Sequence, residues 1–243
     1  MKLLKLFTLL ITVISLTSCE FTEEITFDQS GSGKYDLKMD MSGMMGMMSS
    51  MKDSTENQLP EKMDTIINMK DLLESNNTSI SSLSASEKEI YNTIKDMRVH
   101  SKMDTEAELF TLKFLYDFKN ASDLNDIQEK VKRAQKLQEN KVEEVAPTNQ
   151  KVTYSYSKKK FSRNVELLKL TSEQQAKFDE DLEQSAMFMG SSKYIIKYNF
   201  PKKIKSTNLK GAVISENGKT LTYETQMDNL LKNPKSLEFE IKF

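Results

Sequence analysis

The chain has 243 residues, with 35 basic side chains against 36 acidic ones, one cysteine and one histidine. That length admits one larger domain or two small ones with a real hydrophobic core. Near-balanced, dispersed charge argues against a nucleic-acid binder, a lone histidine excludes schemes that need two imidazoles, and a lone cysteine excludes an intrachain disulfide.

Lys2 and Lys5 precede an apolar run over residues 6–16, and small residues follow, which is the pattern of an export signal. The run is shorter than the ~20 residues that a spanning helix needs. Leu16-Thr17-Ser18-Cys19 resembles the lipobox of bacterial lipoprotein precursors. The resemblance implies a signal peptide over 1–18 and a mature chain beginning at Cys19, which would carry a thioether-linked diacylglycerol and an amide-linked fatty acid. Two acyl chains already give stable anchoring. The expected location is the cell envelope of a bacterium, with the chain held by lipid to the inner or outer membrane.

Residues 19–22 read as a short tether and 23–243 as a single α+β domain. Ile25 and Phe27 alternate with polar neighbours, Ser30-Gly31-Ser32-Gly33 is a turn, and residues 34–41 alternate strictly, so the pair reads as a hairpin. Residues 42–51 fit a methionine-rich helix. Met63, Ile66, Ile67, Met69 and Leu73 fit a second helix after Pro60, and residues 76–84 fit a polar loop. Ser84 and Glu87 have capping-box spacing before a short helix with Ile90, Ile94 and Met97 on one face.

Strands are predicted over 98–103 and over 110–118, where Phe110, Leu112, Phe114, Tyr116 and Phe118 share a face. Leu124, Ile127, Val131, Ala134 and Leu137 keep helical spacing up to the break at Pro147. A hairpin turns at Lys158-Lys159-Lys160. A second capping box, Thr171 to Gln174, opens a helix with Phe178, Leu182, Ala186 and Met189 as its buried stripe and Gly190 as its cap. Tyr194, Ile196, Tyr198 and Phe200 form a strand ending at Pro201. Residues 212–215 and 219–225 flank Asn217-Gly218, expected to supply the two positive-φ positions of a type I′ turn. A last strand covers 237–243. Hairpins separated by helices predict an α+β fold, a largely antiparallel sheet with amphipathic helices packed on one face. Charged helices between the strands argue against an outer-membrane barrel.

Seven of the fifteen methionines lie within residues 39–51. Thioethers select Cu(I), but methionine is also the adaptable filler of apolar surfaces that accept varied partners. Met44, Met45 and Met48, with Phe110, Leu112 and Phe114 on the long apolar strand, are the candidate lining of a ligand site. Neither a Gly-x-Ser-x-Gly elbow nor a phosphate-cradling glycine loop occurs. Glu23-Glu24, Glu143-Glu144 and Asp179-Glu180-Asp181 fall in stretches that read as exposed, so no carboxylate pair stands out and no catalytic residue is assigned. Lys158-Lys159-Lys160 and Lys202-Lys203 with Lys205 read as solvated turns that would add head-group contacts on a membrane.

The stretch 194–201, a strand closed by a proline, with the Asn217-Gly218 hairpin and Tyr223 on its return strand, resembles the LppM-type lipoprotein domain. That resemblance implies an α+β envelope domain associated with binding lipid or glycolipid. It carries over no functional residue apart from the acylated Cys19. The function expected from the sequence is non-enzymatic. It is a membrane-anchored envelope lipoprotein, without cofactor or nucleic acid, that binds an apolar or amphiphilic ligand or an envelope partner. Periplasmic Cu(I) binding by the methionine cluster is the alternative, and a hydrolase with an unidentified carboxylate pair is third.

Overall fold

A computed structural model describes residues 19–45, 61–71, 84–138 and 148–243. Strands are numbered β1 (Glu20–Phe27), β2 (Gly33–Asp40), β3 (Lys62–Asn68), β4 (Arg98–Asp104), β5 (Leu109–Phe118), β6 (Gln150–Tyr156), β7 (Lys160–Leu167), β8 (Lys193–Asn199), β9 (Ser206–Thr207), β10 (Val213–Ile214), β11 (Thr220–Gln226) and β12 (Phe239–Lys242). The helices are α1 (Ala85–Ile94), α2 (Ile127–Gln138), α3 (Ser172–Met189) and α4 (Met227–Lys232). The expected α+β class holds, but the strands form two sheets. One has the order β10-β11-β8-β1-β2-β5-β4-β3 and the other β6-β7-β12-β9.

Period-two patterning explains the larger sheet. Phe21, Glu23, Ile25 and Phe27 of β1 point inward, as do Tyr194, Ile196 and Tyr198 of β8, and those two strands pair in parallel with Phe21 opposite Tyr194. All other pairings among the described residues are antiparallel. The parallel pair joins the first described strand to one from the last fifty residues and closes the sheet around a non-local contact. The smaller sheet turns Tyr154, Phe161, Phe239 and Ile241 toward the first. The faces meet in an aromatic cluster: Phe27 stacks on Tyr156 at 4.7 Å and on Phe200 at 5.4 Å, while Phe161 meets Tyr198 edge-on at 5.6 Å. Offset and edge-on ring pairs of this kind add ~0.5–1.5 kcal/mol each beyond the area they bury.

Several expectations change. Residues 20–22 are no tether, because Glu20, Phe21 and Thr22 pair with Asp40, Met39 and Lys38, and Cys19 is already buried. Residues 62–68 form edge strand β3, not a helix, with Ile66 opposite His100 and Ile67 opposite Val99. The consecutive β-branched Thr65, Ile66 and Ile67 favour the pleated edge, and Ile66 is 60% exposed, so its helical spacing marked no buried stripe. The capping box at Thr171 and Gln174 forms as expected. The helix over 42–51 is a short 3-10 turn, Ser42–Met44, as far as the described residues reach, and Met48, Leu73 and Pro147 lie outside them.

The Asn217-Gly218 turn departs from type I′. Only Gly218 has positive φ, at 74°. Its N–H donates to the Ser215 carbonyl at 2.8 Å. Asn217 contributes through its side chain instead, whose Oδ1 accepts from Ser215 Oγ at 2.7 Å and from the Lys219 N–H at 2.9 Å. Gly218→Val places a β-branched residue in the left-handed region, a strain of ~1–3 kcal/mol. Asn217→Gly loses two bonds, each of ~0.5–1.5 kcal/mol. Both variants are expected to melt below wild type, Gly218→Val by several degrees. Thermal denaturation followed by circular dichroism checks this, and an unchanged midpoint for Gly218→Val would contradict the turn.

Candidate functional site

Glu23 sits in the inward phase of β1 between Phe21 and Ile25, and it is fully buried. Its carboxylate meets four donors. Tyr154 donates to Oε1 at 3.2 Å and Tyr198 donates to the same oxygen. Tyr194 donates to Oε2 at 2.5 Å and Gln128 Nε2 at 2.7 Å. Two donors on each oxygen is the pattern of an acceptor-only, ionised carboxylate. The donors come from β6, from β8 and from α2, so one side chain collects both sheets and a helix.

The counter-charge is Arg163 of β7, in phase with Phe161 and Val165 and only 4% exposed. Its Nε donates to Tyr154 Oη at 3.3 Å and its Nη1 to the Leu237 carbonyl at 2.8 Å, with the guanidinium carbon 5.7 Å from the Tyr154 ring centre. Tyr154 thus bridges the two charges. Burial and the neighbouring Glu23 charge push the phenols of Tyr35, Tyr194 and Tyr198 well above the usual range, and Tyr154 rises for the same reasons. They remain hydroxyl donors throughout the neutral range. Burial alone would lower the Arg163 pKa, but Tyr154, Tyr198 and Glu23 around it raise it.

Gln128 is placed by the entry to α2. Asp126 adopts positive φ, 53°, which aspartate tolerates. Its Oδ1 accepts the Val152 N–H at 2.7 Å, and Asn125 Oδ1 accepts the Tyr154 N–H at 2.8 Å. These bonds satisfy the open edge of β6 and hold the start of α2 against the smaller sheet.

Beside the cluster lies a cavity of about 550 Å3. Phe21, Leu37, Met39 and Met41 line it from β1 and β2 with the segment after it, and Ile127 and Val131 from α2. Val152 faces it from the smaller sheet, Met227, Leu230 and Leu231 close one side, and Gln128, Tyr154, Arg163 and Tyr194 form a polar patch in the wall. Helix α3 contributes Phe178, Leu182, Ser185 and Met189. The expected stripe of α3 therefore faces the cavity, and among its described side chains none is fully buried. The helix roofs the space, tied to α2 by Lys132–Asp181 at 2.8 Å and to α4 by the Asp228 N–H on the Gly190 carbonyl at 3.1 Å. A mostly apolar cavity of this volume with a few convergent polar groups has the character of a small-molecule site.

The residues expected to line a ligand site fall elsewhere. Met45 and Phe114 are buried, Met44 and Leu112 pack against the core, Phe110 is half-buried, and none of these lines the cavity. Met48 lies outside the described residues. The methionine-rich stretch nevertheless contributes Met39 and Met41. Glu23, expected to be exposed, is instead fully buried, and Arg163 is no candidate from the sequence; the signal available for both is a charged residue in the inward phase of a strand. His100 is half-buried and bonds Asp64 at 2.7 Å across β3 and β4.

Cys19 is buried beside the core, on the same face of β1 as the cavity-lining Phe21, and its carbonyl accepts the Lys193 N–H at 3.1 Å. Burial pushes its thiol up. The two lysine runs meet at the other end of the molecule, where Lys202 Nζ donates to the Lys158 carbonyl at 3.0 Å and the Lys205 N–H to that of Lys242 at 2.8 Å. Eight strand residues of about 3.3 Å each place that end roughly 26 Å along β1 from Cys19. This is several Debye lengths at physiological salt. The lysines therefore do not form one surface with Cys19.

No family model matches the chain, and no curated protein matches it. Among solved structures, the NMR structure of the folded domain of the Mycobacterium tuberculosis LppM protein is similar, with a TM-score of 0.40 and 7% identity over 86% of this chain and 82% of that one. It is a likeness of outline that carries no functional residue across.

Proposed function

We propose that this chain is a non-enzymatic, lipid-anchored protein of the bacterial cell envelope that holds an apolar or amphiphilic molecule between its two sheets and α3. The observation that carries the reading is the cavity of about 550 Å3, walled by Phe21, Met39, Val131 and Leu230 and roofed by Leu182. A helix that packs for stability alone buries its stripe against other side chains. Here Phe178, Leu182 and Met189 stay half-buried because they face open volume. Cys19 and Phe21 share one face of β1, so acylation at Cys19 sets the cavity beside the bilayer from which an amphiphile would enter. Glu23 and Arg163 support binding rather than hydrolysis: each is engaged in bonds that hold the fold, and Glu23 has no lone pair left for a reacting water.

Two experiments test this reading. In cells fed an alkyne-bearing fatty acid, the wild-type chain should incorporate label and Cys19→Ser should not; undiminished label in the variant would refute acylation at Cys19. For the cavity, residues 19–243 with Cys19→Ser span every described strand and helix and make a suitable soluble form. Titration with the apolar fluorophore N-phenyl-1-naphthylamine should give saturable enhancement. Leu182→Trp narrows the cavity from its roof, and losing even 1.4 kcal/mol of binding weakens the probe about tenfold. Equal binding by a folded Leu182→Trp protein would show that the probe site is not this cavity.

A further inference from the structure

The polar patch in the cavity wall has unspent hydrogen-bonding capacity, and its chemistry restricts the ligand. Arg163 lines the cavity and is almost fully buried, yet only its Nε and Nη1 have partners among the described residues. Nη2 is not among the sealed, unpartnered side-chain atoms, which are Tyr35 Oη, Asp36 Oδ1 and Ser236 Oγ. It therefore borders open space, and the cavity is the space that Arg163 lines. On the other side of Glu23, Gln128 spends its amide nitrogen twice, on Glu23 Oε2 and on Tyr194 Oη, both at 2.7 Å. The amide cannot be reversed, because that would set its oxygen against the carboxylate. Gln128 Oε1 is left without a partner among the described residues, in a side chain that also lines the cavity. Apart from Thr148, Asn149, Gln150 and Ser185 at other points of the lining, the patch beside Glu23 thus offers one donor and one acceptor.

Charge decides what they can receive. Glu23 and Arg163 already compensate each other through Tyr154. Among the described lining residues the remaining charges are Lys132, held by Asp181 at 2.8 Å, and the acids Asp126 and Glu129. A phosphate or carboxylate brought to Arg163 would leave an uncompensated negative charge beside buried Glu23, and a cation would face the guanidinium; both are costly in a poorly solvated site. An uncharged group that accepts from Arg163 Nη2 and donates to Gln128 Oε1 meets neither penalty, and a hydroxyl beside an ester carbonyl supplies both functions.

Resting on the proposed function, we infer that Arg163 and Gln128 form a head-group subsite that selects an uncharged, hydroxyl-bearing amphiphile of the monoacylglycerol type, bound polar end inward with its chain along Val131, Leu182 and Leu230.

The test uses the full chain in dioleoyl phosphatidylcholine vesicles and three probes with a diazirine in the same acyl or alkyl chain: a 1-acylglycerol, its 3-phosphate, and the bare alkane. After illumination, labelled peptides are mapped by mass spectrometry. The acylglycerol should label residues 127–132 and 178–189 about tenfold more than its phosphate does, since ~1.4 kcal/mol of discrimination corresponds to a factor of ten. Gln128→Leu should abolish that preference; because Gln128 also donates to Glu23, the readout is the ratio of acylglycerol to alkane labelling in protein whose circular dichroism matches wild type. Arg163→Lys keeps the charge but loses Nη2 together with the Nε and Nη1 bonds to Tyr154 and Leu237, and in protein whose circular dichroism matches wild type it should lower acylglycerol labelling in the same way. Equal labelling by the acylglycerol and its phosphate, or a preference that survives in both variants, overturns the subsite and leaves the cavity reading standing. Failure of all three probes to label these peptides overturns the cavity reading itself.

Discussion

The buried carboxylate of Glu23 is the constraint around which the rest of the structure is arranged. A carboxylate deprived of water needs donors on both oxygens and a counter-charge nearby. The chain meets that need with groups far apart in sequence: Gln128 from α2, Tyr154 from β6, Tyr194 and Tyr198 from β8, and Arg163 from β7 through Tyr154. Leaving a buried acceptor of this kind unsatisfied costs about 1–3 kcal/mol, more where it is charged, a large part of the 5–15 kcal/mol that holds a typical domain together. The cluster therefore fixes the placement of the two sheets more sharply than apolar contact alone would. The parallel pairing of β1 with β8 sets Tyr194 and Tyr198 within reach of Glu23, and the pairing of β6 with β7 sets Arg163 opposite Tyr154.

On one side of this cluster the sheets close on rings, with Phe27, Tyr156, Phe161, Phe200 and Phe243 packed together. On the other side they part, and the gap is covered by α2, α3 and α4 rather than filled. The molecule is polarised along β1. The end bearing Cys19 holds the cavity, and the end beyond Phe27 holds the exposed lysines of residues 158–160 and 202–205.

Local features of the fold were legible in the sequence because local chemistry decides them. The alternation in β1, β2 and β8, the hairpin at Lys158-Lys159-Lys160 and the capping box at Thr171 all appear where the residue pattern places them, whereas in β5 Thr111 is buried and Phe110, Leu112 and Tyr116 are only half-buried. Non-local features were not. Nothing in residues 20–27 announces a parallel partner at 193–199, and nothing in 150–167 announces a second sheet. Residues 62–68 mimic helical spacing because an edge strand need bury neither face, which leaves Ile66 free of the period-two rule. The site shows the same division. The double-glutamate stretch makes Glu23 read as exposed, although its phase with Phe21, Ile25 and Phe27 points inward; Arg163 shares the phase of Phe161 and Val165 in the same way. A charged residue in the buried phase of a strand was the available signal. Aromatic Phe110 and Phe114 drew attention as lining because they are large and apolar, but such residues serve a filled core as well as an empty one. The stripe of α3 gave the converse ambiguity, since periodicity records which side faces inward and not whether anything fills the space.

The most direct measurement is native mass spectrometry of residues 19–243 carrying Cys19→Ser, purified without detergent from the producing bacterium. The account predicts a folded protein that bears a discrete added mass corresponding to one uncharged amphiphile, with the occupied fraction reduced when Leu182→Trp narrows the cavity. A folded protein that shows only its bare polypeptide mass, before and after incubation with such amphiphiles, would contradict it.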